Sequence, residues 1–273
     1  MKYVEIIGLP GCGKTTLKRE LIRLNNSLIS FQNAYVQAIL HNGKKIQNLF
    51  EKPLAYFENE YFSGKFFRFL IFKYGLKKKI IQNLLSEHQD RFSSLLKIIN
   101  NHFEIVENSD KEYFKSALIG FEKAYQRCIL IEHNKSKKVA VIDEGILKAA
   151  QGLFAPPKND GFEEDLLLDY LSKISLPKIT IYIKAPIESC IENMVSRKEG
   201  SPIGYLNYDK DLQIQNLKLE TIVIEYCVNF LRENHHEVLI YKYDNPNKLD
   251  FQRMLLEKVG ILSQDNSETS YVF

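Results

Sequence analysis

The strongest chemical signal in the chain is the run Gly8-Leu9-Pro10-Gly11-Cys12-Gly13-Lys14-Thr15. Its glycines allow a tight turn whose backbone N–H groups converge inward. Residues 2–7 before it, KYVEII, read as a short buried strand, and the stretch from Lys14 to about Leu24 reads as a helix. The helix adds the positive end of its dipole to the turn. Lys14 adds an ammonium group, and Thr15 and Thr16 add hydroxyls. Together these features describe a cradle for a phosphate chain, matching G-x-x-x-x-G-K-[ST] at every fixed position. In such a cradle Lys14 reaches the β- and γ-phosphates and the Thr15 hydroxyl binds Mg2+. The nucleotide-binding set is Gly8, Pro10, Gly11, Cys12, Gly13, Lys14, Thr15 and Thr16, with Cys12 a small residue that fits the loop. A plain glycine turn with a capping threonine is the alternative, and the strand before and helix after favour the cradle.

The second chemical feature is Asp143-Glu144, which ends the apolar run Val139–Ile142. A carboxylate at the carboxyl end of a strand beside the cradle can hold the hydration shell of Mg2+ or take a proton from the attacking group. Thr15 and Asp143 are the candidate metal residues. The base is Asp143 or Glu144; the sequence leaves both open. Without the upstream cradle, Asp-Glu-Gly would read as a turn starting a helix. The third feature is "ITIYIKAPIESCIENMVSRKEGSP", a strand ending in Lys184-Ala185-Pro186 and a helix with Pro186 in its first turn. Arg197 near that helix's end is a candidate for stabilising charge on a transferring phosphoryl group, or is simply a cation at a helix C-terminus.

With the cradle, "VIDEG", the strand-APxE-helix-R segment and the strand-loop "LIYKYDNPNK", the chain resembles the nucleoside and nucleotide kinase group of P-loop NTPases, with a thymidylate-kinase-like order of elements. The resemblance covers about 1–30 and 136–260. It implies a three-layer P-loop (Walker A) fold, a kinase activity using ATP and Mg2+, Arg197 at the start of a lid over the phosphates, and Asp244 beside the adenine. The chain departs from the group at Asn193, where a second lid arginine often stands, and at Gly145, where an arginine usually follows the acidic residue.

The elements that must position these residues follow from periodicity. Continuous apolar runs at Val139–Ile142, 176–186 and 236–244 read as strands covered on both faces, and 28–33 as another. Helices are expected near 163–174, 186–197, 209–234 and 247–259, and the intervening segment 154–170 reads as a loop near the cleft mouth that runs into the first of these. Strands alternating with helices imply an α/β chain with a parallel sheet of about five strands. Between about 36 and 134, apolar residues recur at helical spacing, which reads as a large helical insertion binding the acceptor. One domain over 1–262 and a polar tail, 263–273, complete the layout. Within the insertion, 61–79 is basic and aromatic; packing with snorkelling lysines, a pocket wall with Arg68 facing an anion, and a membrane or nucleic-acid surface all fit it. Arg91 and Arg127 read as solvated unless they point into the cleft.

Composition narrows the class. The chain has 273 residues, 45% of them hydrophobic and 26% charged, as a globular domain requires. A net charge of +3 gives no argument for nucleic acid. No run approaches the roughly 18 apolar residues of a membrane span, and no leader is expected before the first strand. Four dispersed cysteines read as free thiols in the cytoplasm. The expected activity is transfer of the γ-phosphoryl of ATP to a small molecule such as a nucleoside, nucleotide or sugar; the sequence leaves a homodimer open. An ATPase or GTPase switch and an accessory ATP-binding protein are the rival readings.

Overall fold

The structure, a computed structural model, describes residues 2–34, 37, 86–105, 111–134, 136–159, 161–196, 209–243, 251, 253–255 and 257–258. Five parallel strands form one sheet: β1 (Tyr3–Gly8), β2 (Leu28–Ser30), β3 (Val139–Ile142), β4 (Ile179–Lys184) and β5 (Glu237–Lys242), in the order β2-β3-β1-β4-β5. β1 and β3 are buried at every position and β4 at all but Lys184, so helices must cover both faces. The described helices are α1 (Lys14–Leu24), α2 (Gln89–Ile105), α3 (Lys111–Glu132), α4 (Ile146–Phe154), α5 (Glu164–Lys173), α6 (Ile187–Val195) and α7 (Lys210–Glu233). Among the described residues no helix is long and apolar enough to cross a membrane.

The strand order decides what the loops can do. β1 sits in the middle with β3 and β4 beside it, and Glu5 pairs with Ile142 while Gly8 pairs with Ile183. Three neighbouring parallel strands therefore deliver the glycine turn, the Asp143-Glu144 turn and Ala185-Pro186 to the same sheet edge. In an open parallel sheet that edge is where ligands are held.

Most elements lie where periodicity places them, with three differences. The second strand is shorter than the span 28–33: it stops at Ser30, and 31–34 turn helical. The Ser30 hydroxyl accepts from Asn33 N–H at 3.3 Å, a local cap that ends the strand. The sequence reading gives helix α4 no range, although Asp-Glu-Gly admits a helix start there; its N-cap is Gly145, which offers no side-chain bond. The segment 154–170 is a loop only as far as Glu163, after which α5 begins, Glu164 and Asp165 forming its charged first turn. Within the expected insertion, α2 and α3 are helical as anticipated, and Leu95, Ile99, Phe121, Tyr125 and Ile131 join the same buried cluster as the sheet. The basic aromatic stretch 61–79 and the tail 263–273 lie outside the described residues.

Around α2 to α5 the core is aromatic: Phe121 lies against Phe92, Tyr125 and Tyr170, and Phe154 against Tyr170. His102 is enclosed there, its ring 4.7 Å from that of Phe154, with no hydrogen-bond partner on either nitrogen. Burial without a partner penalises the imidazolium and pushes its pKa down to about 4. All four cysteines are free and buried.

Candidate functional site

The turn after β1 is shaped by close approach. Gly11, at φ +85, comes so near α6 that a Cβ there would lie 2.3 Å from the Cys190 carbonyl oxygen. Gly13, at φ +94, caps α1 in the left-handed conformation and has nothing within 4 Å of where a Cβ would be, so the turn opens on that side. Leu17 N–H makes the first helical bond, to Gly13 O at 3.0 Å. The amides of Lys14, Thr15 and Thr16 thus have no intrahelical acceptor, and no side-chain cap substitutes for one. Lys14 folds back over the turn, its ammonium donating to the Gly8 and Leu9 carbonyls, each at 2.7 Å. An anion entering the turn would meet the amides and this cation together, which fits a phosphate group.

From the neighbouring strand comes Asp143. The Thr15 hydroxyl donates to its Oδ2 at 3.0 Å, joining the two residues expected to serve one metal ion. The other carboxylate oxygen accepts from Lys18 Nζ at 2.6 Å, in a pair that is largely buried on both sides. Lys18 escaped the sequence reading: it lies one helical turn after Lys14, which sets it on the face that looks back to β3. Among the described residues no group of three or more His, Cys, Asp or Glu could hold a metal by itself. A Mg2+ ion here would therefore draw on Thr15, Asp143, phosphate oxygens and water, as is usual for that ion.

Glu144 faces elsewhere. Its side chain is 73% exposed, and Arg127 from α3 reaches it, donating to its backbone carbonyl at 2.9 Å and its Oε2 at 3.2 Å. The Arg127 guanidinium also lies over the Phe31 ring, 5.2 Å from its centre. Of the two readings left open for Arg127, α3 sets it beside the acidic turn, still partly exposed. Arg91 is exposed and donates to Ser175 Oγ at 2.6 Å, away from this cluster.

Asn193 accounts for its own departure from an arginine. Its amide donates to the Gly11 carbonyl at 3.0 Å and to the Tyr243 hydroxyl at 3.1 Å, tying the turn to the end of β5. Arg197 and Asp244 lie outside the described residues.

A further polar cluster joins α4 to α7. Lys148 of α4 pairs loosely with Glu220 of α7 at 3.7 Å, and Gln151 donates its amide to the same carboxylate. Burial lowers the Lys148 pKa, the positive charge of Lys14 adds to that, and Glu220 opposes it. Nearby, Asn216 Oδ1 accepts from Lys158 N–H at 3.2 Å. None of these residues carried a sequence signal, because the contacts join segments about 60 to 70 residues apart.

No protein-family model matches the chain, and no curated protein matches it significantly.

Proposed function

We propose that the chain is a P-loop phosphotransferase, moving the γ-phosphoryl group of ATP to a small-molecule acceptor in a Mg2+-dependent reaction. The observation that carries this reading is the Thr15–Asp143 hydrogen bond, which brings the cradle and the acidic strand end within 3.0 Å of each other. Bound Mg2+ would neutralise charge on the phosphate oxygens. Thr15 and Asp143 would hold it, Lys14 would turn from its loop carbonyls to the phosphates, and the three helix amides would orient the chain of phosphates. Asp143 lies against the Thr15 hydroxyl, which suits a metal-holding carboxylate, with Lys18 on its other oxygen. Glu144 is exposed and oriented by Arg127, which suits the group that accepts the proton of an acceptor hydroxyl. Arg127 and Phe31 would then flank the acceptor. Arg197 remains the proposed closing arginine and Asp244 the proposed adenine neighbour. Four buried thiols suit a reducing, cytoplasmic setting.

The experiment is a panel of nucleosides, nucleotides and sugars incubated with γ-labelled ATP and Mg2+. Label on an acceptor that disappears in Glu144→Gln supports the reading. Label released only as free phosphate, at a rate no acceptor changes, favours an ATPase switch instead. Tight ATP binding with neither outcome favours an accessory nucleotide-binding protein.

A further inference from the structure

The most unusual residue near the site is Glu5. It lies in β1, the strand that leads into the glycine turn, and it is wholly buried. Its Oε1 accepts from the Lys148 amide at 2.9 Å, and the amides of Leu147, Ile146 and Gly145 face the same carboxylate. Its Oε2 has no partner. A Cβ on Gly145 would lie 2.5 Å from the Glu5 carboxyl carbon, so a larger residue there requires the Glu5 carboxyl group or the helix end to shift.

We infer that Glu5 is a positioning residue that clamps the amino end of α4 to β1, and so fixes the Asp143-Glu144 turn relative to the phosphate cradle. The two chemical elements come from strands far apart in sequence, and backbone pairing alone leaves the turn beyond Ile142 free. Glu5 supplies the missing tie, since its strand carries the cradle and its carboxylate holds the residues that follow the acidic pair. The α4 amino end has no cap of its own, and Glu5 serves as that cap from across the sheet. The inference does not need the phosphotransfer reading to be right, though it gives that reading its geometry.

The groups that face Glu5 are Tyr3 of β1, Cys128 of α3, Tyr170 of α5 and Cys227 of α7, all held neutral by burial well above pH 7. From α4, Lys148 turns its ammonium to Glu220 instead. Burial with no cation pushes the Glu5 pKa up to about 7, the helix amides opposing the shift. Any opening that hydrates Glu5 is therefore favoured as pH rises from 4.5 to 7, because the open form releases its proton first.

Hydrogen exchange of the nucleotide-free chain tests the clamp, with intrinsic exchange rates divided out. Glu5→Ala is expected to lower protection of the amides of Gly145 to Lys148 at least tenfold relative to those of β4. Glu5→Gln keeps an acceptor for Lys148 N–H, retains most of that protection, and abolishes its decline between pH 5 and 8. Should Glu5→Ala fail to fold, Glu5→Leu, which fills similar space without an acceptor for Lys148 N–H, carries the test at the same amides. Unchanged protection at those amides in Glu5→Ala or Glu5→Leu overturns the clamp. Normal exchange results in a chain that transfers no phosphate would overturn only the proposed function.

Discussion

At the scale of single residues, the two carboxylates of the candidate site sit in different surroundings. Asp143 is neutralised by Lys18 at 2.6 Å, so attraction of a metal ion there competes with an ammonium already in place. Lys18→Met is expected to tighten the apparent Mg2+ requirement several-fold, equivalent to about 1 kcal/mol for a pair of this kind. Titration of Mg2+ against nucleotide binding measures it as a lower half-saturating Mg2+ concentration; a higher one in the variant would show that Lys18 supports the metal instead. The glycine turn between β1 and α1 was legible in the sequence because its parts are contiguous: turn, ammonium and hydroxyl fall within eight residues. Lys18, Arg127 and Lys148 were not legible as site residues. Each is an ordinary helix cation until the fold sets it beside Asp143, Glu144 or Glu220.

Among the elements, the junction of β1 with α4 is the most demanding. Gly145→Ala would drive a methyl group into the Glu5 carboxyl group, and either the carboxylate or the helix must shift. A loss of about 2 kcal/mol or more is expected from this overpacking, measured by denaturant unfolding. Combining it with Glu5→Ala gives a sharper check: the double variant is expected to lose less stability than the sum of the two single variants, because the colliding group is gone. Simple additivity would mean that the two residues do not press on each other. Strands β1, β3 and β4 were readable from apolar runs; β5 was readable as a strand but is not covered on both faces as expected, since only Leu239 of it is buried. Helices α1, α5, α6 and α7 were readable from periodicity with their caps and breakers. Helix α4 was not, since its cap is a side chain more than 140 residues away in sequence. The end of β2 was missed for the opposite reason: a single local bond from Ser30 outweighed an extended-looking apolar pattern.

For the whole molecule, two buried groups set opposing pH dependences of stability. The folded chain holds the Glu5 pKa up at about 7 against an ordinary 4.5, so its contribution is fully present below 4.5 and is lost as pH rises to 7. It holds the His102 pKa down at about 4 against 6.5, so that contribution is present above 6.5 and is lost as pH falls to 4. Each shift is worth on the order of 3 kcal/mol, and between pH 4.5 and 6.5 the two slopes oppose each other. Thermal or denaturant unfolding of the wild type is expected to be nearly flat in that window. Glu5→Gln should expose a stability that rises with pH, and His102→Leu one that falls with pH. Two variants with the same slope as wild type would remove these groups as its source. Because both His102 nitrogens lack partners, His102→Leu is also expected to cost little at pH 7.

The phosphate cradle carries the whole account, and isothermal titration of ATP into the wild type and into Lys14→Ala tests it most directly. The expected result is micromolar-range binding that weakens roughly 10- to 100-fold on loss of the charge-assisted contact, with the fold still intact by circular dichroism. Equal ATP affinity in the two proteins, or no measurable binding to the wild type with Mg2+ present, would contradict it.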